Sequence, residues 1–441
     1  MSHTRDAPLV WQRLKSEVYT TISQCRICGN TELDSLLDLG MQALTGVFPS
    51  EGDAPVPTGP LELVKCREEG PETCGLIQLR HSFQASEMYG MNYGYRSGLN
   101  QSMVDHLQEK ARKIRDAVAL SSGDLILDIG SNDSTLLRAM DSPGIRMVGM
   151  DPSGIKFIQH YPPHIQLIPE CFSAKRFRKE FGRQSAKVVT SIAMFYDLDA
   201  PLEFVRQVYD VLADDGVWVF EQSYLPAMLA NTSYDTVCHE HQEYYSLKQV
   251  RWMLERTGFK LLDVEINAVN GGSFSVTAAK TASPYSRNEA AVQQCIRDEE
   301  ELGLGSIEIY RRFQERVFQH RGELLHFLRE ARAHDERILG YGASTKGNVI
   351  LQFCGITTNE LPCIAEVNPD KFGAFTPGTH IPIVSEEQAR AMSPSGFLVL
   401  PWHFRENIIA REAQFLAKGG RLIFPLPRIE VISEESASRG V

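Results

Sequence analysis

One stretch of this sequence restricts the possible folds more than any other. The apolar run Leu125–Leu127 leads into Asp-Ile-Gly-Ser-Asn at positions 128–132. The run predicts a buried strand, and Gly130 lets the backbone turn close to a ligand before a helix begins. The next predicted strand ends at Asp151, where nucleoside-binding folds place a carboxylate for the ribose hydroxyls. The turn and the acid together predict a sheet with a nucleoside-binding edge.

Apolar runs continue to alternate with helix-favouring stretches after this turn. They predict strands at residues 165–168, 187–192, 216–222, 261–266 and 273–279. Such alternation is typical of a doubly wound, mostly parallel sheet, which binds ligands at the carboxyl ends of its strands. The glycine-containing loop 267–272 between the last two strands predicts an antiparallel hairpin, which plain dinucleotide dehydrogenase sheets lack.

A second α/β unit is predicted in the last quarter of the chain. A strand at 337–341 leads into Gly-Ala-Ser-Thr-Lys-Gly-Asn at 342–348, and a later strand is followed by Glu366 and Asn368. Small residues, a helix N-terminus and the charge of Lys346 predict a phosphate-binding turn. A simple helix cap explains the same residues and is the alternative.

Four cysteines near the start of the chain form two pairs, Cys25 with Cys28 and Cys66 with Cys74. The first pair has the spacing of a zinc knuckle, and the second is wider and needs its Gly-Pro turn to close. They predict a closed four-thiolate zinc site, which has no open position for catalysis. Four unrelated cysteines are the alternative.

The segment Tyr234–Tyr245, called the polar stretch below, follows the strand predicted at 216–222. It contains two histidines, two glutamates, Cys238 and three tyrosines within twelve positions. This density of titratable groups at the ligand side of a sheet predicts proton-transfer chemistry. Ligation of a catalytic metal by His239, Glu240 and His241 is disfavoured because three consecutive residues rarely reach one ion.

Size and charge limit the class of protein. A chain of 441 residues exceeds one ordinary core, so we expect two or three domains. The net charge of −11 argues against nonspecific binding to nucleic acid or anionic membranes. No apolar run approaches the length of a membrane span, and nine scattered cysteines indicate reduced thiols. We therefore expect a cytoplasmic protein, either a monomer or a homodimer.

Taken together, these stretches resemble the sugar C-methyltransferases of deoxysugar biosynthesis. Members of this family use S-adenosylmethionine (SAM) to methylate nucleotide-linked 4-keto-6-deoxy sugars. The resemblance spans nearly the whole chain and rests on the N-terminal cysteines and on the residues at 127–132, 234–235, 240–241, 340–348, 366–368 and 376–378.

The resemblance implies an α/β fold with a class I methyltransferase (Rossmann-like) core, an N-terminal zinc-binding lobe and a C-terminal Rossmann-like domain. The implied boundaries are 1–88 for the zinc-binding domain, 89–285 for the methyltransferase domain, 286–335 for a helical connector, and 336–441 for the domain that binds the nucleotide sugar.

The same resemblance implies a mechanism. A base removes a proton from the carbon next to a ketone, and the resulting enolate carbon attacks the methyl group of SAM. His241 matches the base and Glu240 matches the group that assists it. A tyrosine is common in the family where this chain has Cys238. Its role is therefore either unnecessary here or taken by Tyr244 or Tyr245.

The resemblance also implies binding residues. For SAM they are Asp128, Gly130, Ser131, Asn132, Asp151, Phe172, Met194 and Phe195, with Tyr93 and Tyr95 as a lid. For the nucleotide sugar they are Ser344, Thr345, Lys346 and Asn348 at the diphosphate, and Glu366, Asn368 and Lys371 around the nucleoside.

Three other functions remain open from the sequence. An O- or N-methyltransferase acting on another nucleotide-linked or phosphorylated small molecule would use the same cofactor turn. An NAD-dependent oxidoreductase would explain two nucleotide-binding sheets, but neither turn has the Gly-x-Gly-x-x-Gly pattern. A zinc-bearing binding module without catalysis would leave the polar stretch unexplained.

Overall fold

A computed structural model describes residues 19–52, 54–83 and 95–437. Tyr93 and the boundary predicted at residues 88 and 89 lie outside these ranges. None of the helices in the described ranges is long and apolar enough to cross a membrane.

The described residues form strands and helices that alternate over most of the chain. The strands are β1 Tyr19–Thr21, β2 Leu33–Ala43, β3 Thr58–Cys66, β4 Ile77–Leu79, β5 His81–Phe83, β6 Leu125–Ile129, β7 Arg146–Met150, β8 Ile165–Ile168, β9 Ala186–Ile192, β10 Leu212–Ser223, β11 Glu243–Tyr244, β12 Phe259–Asn267, β13 Ser273–Lys280, β14 Ile338–Tyr341, β15 Ile364–Glu366, β16 Ile383–Ser385, β17 Gly396–Val399, β18 Arg421–Phe424 and β19 Glu430–Ile432.

The α-helices are α1 Gln101–Ala117, α2 Thr135–Ala139, α3 Ala174–Phe181, α4 Pro201–Val211, α5 Leu225–Ala230, α6 Leu247–Arg256, α7 Glu289–Leu302, α8 Ile307–Ala333, α9 Thr345–Cys354, α10 Glu386–Ala391, α11 Arg405–Arg411, α12 Ala413–Ala417 and α13 Glu434–Ala437.

The central sheet has seven strands in the order β12-β13-β10-β9-β6-β7-β8. All neighbours are parallel except at β13, which is antiparallel to both β10 and β12. Every residue of β6 is buried, because a parallel strand in the middle of a sheet is covered on both faces. The predicted parallel sheet with a terminal hairpin is therefore confirmed.

A second sheet, called the C-terminal sheet, has the order β16-β15-β14-β17-β18-β19. Its strands are parallel except β19, which pairs antiparallel with β18. Along the chain, α7 and α8 lie between the strands of the two sheets, in the segment where a helical connector was expected at 286–335. The second α/β unit is confirmed as a Rossmann-like sheet.

The N-terminal lobe carries a four-stranded sheet in the order β11-β4-β3-β2 and a two-stranded sheet of β1 and β5. Strand β11 comes from the polar stretch and pairs antiparallel with β4, so that Tyr244 lies opposite Ile77. The sequence did not indicate this pairing, since a two-residue strand with a distant partner has no periodicity to detect. The polar stretch thus joins the N-terminal lobe to the central sheet.

Candidate active site

The four N-terminal cysteines converge on one point. Their Sγ atoms all lie within 4.8 Å of one another, with Cys25 to Cys74 and Cys28 to Cys66 each at 3.5 Å. Tetrahedral zinc with Zn–S bonds near 2.3 Å places its sulfur atoms about 3.8 Å apart. The cluster therefore fits a closed zinc site, as predicted from the spacing.

The zinc cluster lies directly behind the polar stretch. Arg26, inside the first cysteine pair, points its Nε at Oε1 of Glu243 across 3.6 Å, and the two side chains are 3% and 0% exposed. Gln249 on α6 donates from Nε2 to the carbonyl of Cys74 at 3.1 Å. These contacts show that the N-terminal lobe packs against one side of the polar stretch. The other side of the stretch faces the cavity described in the next paragraph.

A cavity of about 340 Å³ opens at the carboxyl ends of the central strands, and we call it the edge cavity. Gly130 has a φ of +74°, and a Cβ there would lie 3.0 Å from Cγ of Met194. The turn therefore needs glycine both for its backbone angle and for its closeness to the opposite wall. The predicted cofactor residues that line the cavity are Tyr95, Asp128, Gly130, Ser131, Asn132, Asp151, Phe172 and Met194.

Hydrogen bonds hold the turn in place. Asp151 accepts from the backbone N–H of Asn132 at 2.7 Å and of Ser153 at 2.6 Å. The side chain of Asn132 accepts from the N–H of Ser97 at 2.9 Å and donates to the carbonyl of Tyr95 at 3.1 Å. Asn132 therefore fixes the segment around Tyr95 against the mouth of the cavity.

The edge cavity is acidic. Its described lining residues include no lysine and no arginine. Burial raises the pKa of Asp128 to about 7, although the Thr190 hydroxyl donates to that carboxyl. Lys110 pairs with Glu221 from behind this wall at 2.8 Å, and the remaining ionised carboxylates favour a cation such as the sulfonium and ammonium of SAM over the pyrophosphate of NAD. The five carboxylates of the wall belong to Asp128, Asp151, Asp197, Asp199 and Glu221.

Phe195 does not lie at this cavity, and its prediction as a cofactor residue is corrected. Its side chain is 1% exposed and stacks on Tyr245, with ring centroids 5.3 Å apart. It also packs against Trp218 in the aromatic layer beneath the sheet. Neighbouring residues of an irregular segment point in different directions, so only Met194 of the predicted pair reaches the cavity.

His241 lies one side chain away from the edge cavity. Its ring contacts the ring of Tyr196, with centroids 4.4 Å apart, and Tyr196 lines the cavity. Nδ1 of His241 is 2.9 Å from the carbonyl oxygen of Thr236. Because a carbonyl can only accept, Nδ1 must carry the proton, and Nε2 keeps its lone pair.

The surroundings keep this imidazole neutral. Removal from water, together with the nearby charge of Lys346, lowers the pKa of His241 to about 3. The ring is therefore unprotonated at neutral pH and able to accept a proton on Nε2. Burial has the opposite effect on its neighbour and raises the pKa of Glu240 to about 7. Glu240 lies beside Gly46, where any side chain would collide with its Oε1.

The two tyrosines predicted to act in catalysis belong to the core. Tyr244 is 4% exposed, and its hydroxyl donates to the Thr236 carbonyl at 3.2 Å. Tyr245 is 0% exposed and stacks under the central sheet. Neither reaches the cleft, so a direct catalytic role is corrected for both. Tyr244 instead helps to hold the carbonyl that orients His241.

Several polar side chains in and around the glycine turn of the C-terminal sheet form hydrogen bonds within the protein. Ser344 accepts from the N–H of Gly347 at 3.0 Å and thereby caps α9. Asn348 is 0% exposed and donates to the carbonyl of Thr45 at 2.7 Å. This bond ties the start of α9 to the N-terminal lobe, and the predicted contact of Asn348 with a diphosphate stays a prediction. Lys371 donates to the carbonyl of Ala343 at 2.8 Å.

The acid after β15 is also engaged by the backbone. Glu366 accepts from three N–H groups, those of Ala343 at 2.8 Å, Val367 at 2.7 Å and Asn368 at 2.9 Å. The side chain of Asn368 accepts from the N–H of Asp370 at 3.1 Å. These bonds hold the turn in shape, and the predicted contacts of Glu366 and Asn368 with a nucleoside stay predictions.

Lys346 points away from the other residues of its turn. Its Nζ donates to the carbonyl of Asn270 at 3.0 Å, and Asn270 lines the edge cavity. Trp402, which follows β17, donates from Nε1 to Oδ2 of Asp235 at 2.8 Å. The sequence reading missed Trp402, His403 and Asn270, although Trp402 and His403 lie at a strand's carboxyl end, where ligands bind.

Comparison with known proteins agrees with this geometry. Three family models match the chain: "Putative zinc binding domain" at residues 25–89, "Methyltransferase domain" at 103–264 and "C-methyltransferase C-terminal domain" at 268–427. The C-methyltransferase NovU of Streptomyces niveus is 31% identical over 423 residues, which cover 95% of this chain and 99% of NovU. The chain belongs to the C-methyltransferase family.

The protein is therefore a SAM-dependent C-methyltransferase of class I fold with a structural zinc site. This result disfavours the O-methyltransferase, N-methyltransferase, oxidoreductase and non-catalytic alternatives. Solved methyltransferases are also similar, among them CcbJ from Streptomyces caelestis. CcbJ is 13% identical, with a TM-score of 0.31 over 40% of this chain and 89% of its own. The methyltransferase bound to the Haloferax volcanii Trm112 activator is 14% identical, with a TM-score of 0.34 over 42% and 94%.

Proposed function

We propose that this C-methyltransferase acts on a nucleotide-linked 4-keto-deoxysugar, at the carbon next to the ketone. The observation that carries the proposal is the state of His241. Its Nδ1 proton is committed to the Thr236 carbonyl, which leaves the lone pair of Nε2 free, and its ring packs against Tyr196 in the wall of the edge cavity. This position suits the removal of a C–H proton. Because burial and the charge of Lys346 lower the pKa of the ring, the proposal requires the bound substrate to bring that pKa closer to the working pH.

The proposed reaction begins at Nε2 of His241. This atom takes a proton from the carbon next to the ketone, the C–H electron pair forms a carbon–carbon double bond, and the ketone oxygen becomes an enolate. The enolate carbon is the nucleophile, and the ketone forms again when the new carbon–carbon bond is made. When bound, SAM supplies the electrophilic methyl group and leaves as S-adenosylhomocysteine.

Glu240 has a supporting role in this proposal. Protonation of His241 creates an imidazolium in a site that disfavours positive charge. Glu240 precedes His241 in the chain and its Oε1 lies beside Gly46, so the proposal requires its carboxylate to turn toward the ring, where it would stabilise that charge. With its pKa raised to about 7, about half of this carboxyl is ionised at neutral pH. Cys238 is 0% exposed and does not face the cleft.

The C-terminal sheet supplies the proposed place for the nucleotide. Helix α9 begins at the glycine turn and offers a helix N-terminus to a diphosphate. Thr345 and Lys346 are partly exposed at this end. NovU is similar over the whole chain, which supports a shared acceptor-binding domain. We also propose a cytoplasmic location and either a monomer or a homodimer.

The test is a deuterium exchange and methyl-transfer assay on the full-length wild-type protein. Thymidine- and uridine-diphosphate 4-keto-6-deoxyhexoses are incubated in D₂O with and without SAM. We expect deuterium at one carbon next to the ketone and, with SAM, a new methyl group on that same carbon. Methyl transfer to oxygen, or to carbon without exchange at that position when methyl transfer is blocked, would contradict the proposal.

A further inference from the structure

A cluster of polar side chains lies where the C-terminal sheet meets the polar stretch. Asp235 comes from the polar stretch, Lys346 from the first turn of α9, and His403 from the segment after β17. Asp235 is anchored by Trp402 at 2.8 Å, and Lys346 is anchored by the carbonyl of Asn270 at 3.0 Å. Three separate elements therefore bring an acid, a base and a cation to one place.

Two polar atoms of this cluster have no hydrogen-bond partner among the residues that the structure describes. Oδ1 of Asp235 and Nδ1 of His403 are buried and have no hydrogen-bond partner among the described residues. Asp235 is 0% exposed. The ammonium of Lys346 interacts with the charge of Asp235 and has two donors beyond the one that Asn270 uses. Buried polar atoms without partners require a ligand or water to complete them.

The cluster also lies close to the reacting centre. The charge of Lys346 is near enough to His241 and to His403 to contribute to the low pKa of both rings. Its anchor, Asn270, lines the edge cavity beside Ser273 and Gln222. A molecule that touches Lys346 therefore extends between the proposed base and the methyl-donor cavity.

We propose that Lys346, Asp235 and His403 form the subsite for the reacting ketone, in which Lys346 binds the ketone oxygen and Asp235 and His403 bind a hydroxyl next to it. The inference rests on the function proposed above and deepens it. It differs from the sequence prediction, which gave Lys346 to the diphosphate.

The chemistry of the subsite matches the charge changes of the reaction. As His241 takes the C–H proton, the electron pair of the carbonyl π bond moves onto the ketone oxygen and makes it an anion. An ammonium already directed at that oxygen stabilises the anion more than the neutral ketone, and so accelerates the step. Asp235 can only accept, so its unpaired oxygen selects a hydroxyl as the neighbouring group.

A diphosphate fits the same position poorly. It would bring two negative charges beside Asp235 and toward a cavity walled by carboxylates. It would also place the phosphorus atoms, rather than the sugar ring, next to His241. Ser344 and Thr345 precede Lys346 at the start of α9, and the backbone N–H groups of this helix end remain for the phosphates.

Lys346→Met in the full-length protein separates the two assignments. Deuterium exchange is measured at saturating 4-ketosugar nucleotide, and the affinities for thymidine diphosphate and uridine diphosphate are measured by calorimetry. We expect exchange to fall about 100-fold, the usual effect of losing one oxyanion donor. We expect nucleoside diphosphate affinity to change less than threefold. Lys418→Met, an exposed lysine of the same domain, is the matched control.

Two further measurements make the result decisive. SAM affinity of Lys346→Met shows that the protein is folded, and Lys346→Arg, which keeps the charge, should recover part of the exchange rate. Unchanged exchange at saturation, combined with a more than tenfold loss of diphosphate affinity, would overturn the subsite. Failure of the wild-type protein to exchange any of the ketosugars would instead overturn the proposed function, so the two failures are distinguishable.

Discussion

The central sheet and the C-terminal sheet each start with a strand, a glycine turn and a helix, yet the two turns use their polar groups differently. In the central sheet, Asp128, Ser131 and Asn132 line a cavity. In the C-terminal sheet, Ser344 caps its own helix and Glu366 accepts three backbone N–H groups. The side chains of the first turn are also bonded within the protein, Asn132 to the segment around Tyr95 and Asp128 to Thr190. The difference is that the first turn nevertheless lines a cavity, whereas the second directs its hydrogen bonds into its own helix and loop.

This difference shows why similar motifs do not imply similar sites. The second turn directs one long side chain, Lys346, out of its own sheet and toward the polar stretch. We therefore propose that the C-terminal sheet contributes the ammonium of Lys346 to the active site, and not a nucleotide-binding cavity like the one in the central sheet. The following experiments test this contrast, starting with the largest expected effect.

Loss of the zinc site should have the largest effect, because the N-terminal lobe supports the polar stretch beside the central sheet. Replacing Cys25 and Cys28 by Ser removes two of four thiolates, and zinc binding supplies about 10 kcal/mol or more in small zinc domains. Because the lobe supports the polar stretch through Arg26 and β11, we expect loss of zinc and of nearly all methyl transfer. Metal analysis and the transfer assay measure both.

The exposed Cys171 provides the control for that experiment. Cys171→Ser should keep one zinc per chain; Cys171 lines the edge cavity, so this variant controls metal content and not activity. If the double variant still bound one zinc per chain, or if it methylated at the wild-type rate without zinc, the supporting role of the lobe would be wrong.

A matched pair of glycine variants should separate the two turns. Gly130 and Gly342 have φ values of +74° and +80°, and a β-branched residue at such angles costs about 1–3 kcal/mol. Gly130→Val also collides with Met194, so we expect about a 100-fold loss of SAM affinity. A Cβ at Gly342 would lie 2.7 Å from Cγ and Cδ of Pro401, so Gly342→Val should distort that turn and weaken nucleoside diphosphate binding while leaving SAM affinity within about twofold. Calorimetry measures the affinities of both variants for SAM and for nucleoside diphosphate. Equal losses of SAM affinity in the two variants would refute the proposed difference between the two turns.

Glu366→Gln should test whether the Glu366 carboxylate stabilises the backbone of its turn. A carboxylate that accepts three N–H groups stabilises the turn through charge-assisted hydrogen bonds. We expect the free energy of unfolding of the C-terminal sheet to fall by about 2–3 kcal/mol and SAM affinity to stay the same. Chemical denaturation measures this change, with the exposed Glu387→Gln as control. A normal stability with lost substrate binding would place Glu366 at the substrate instead.

The pH dependence of exchange should report Glu240. Burial raises its pKa to about 7, so its carboxylate forms as the pH rises through 7, while His241 remains neutral throughout. We expect the exchange rate to rise by a few-fold between about pH 6 and 8. Glu240→Gln should remove this rise. A profile that stays unchanged in the variant would assign the titration to another group.

Much of the fold was predictable because it depends on local patterns. The strand–turn–helix at Asp128 and Gly130 and the hairpin between β12 and β13 follow from apolar periodicity and turn chemistry. The zinc cluster followed from the cysteine spacing. The pairing of β11 with β4 did not, because it is set by tertiary contacts between short segments distant in sequence.

The site was predictable by residue type but not by side-chain direction. The density of titratable groups pointed to the polar stretch, and the family resemblance matched His241 to the base, whereas Phe195, Tyr244 and Tyr245 are core residues. Adjacent aromatics in an irregular segment face opposite ways, and sequence alone does not say which one faces the cavity. His403 had no motif, since its proposed role depends on tertiary packing that brings its segment, through Trp402, against Asp235.

The most direct test of the central claim is the exchange assay on His241→Asn. The substitution keeps a group that can donate to the Thr236 carbonyl but removes the basic Nε2 atom. If His241 is the base, deuterium exchange at saturating 4-ketosugar nucleotide should fall at least 100-fold, with SAM affinity unchanged. Exchange at the wild-type rate in a variant that still binds SAM would contradict the account.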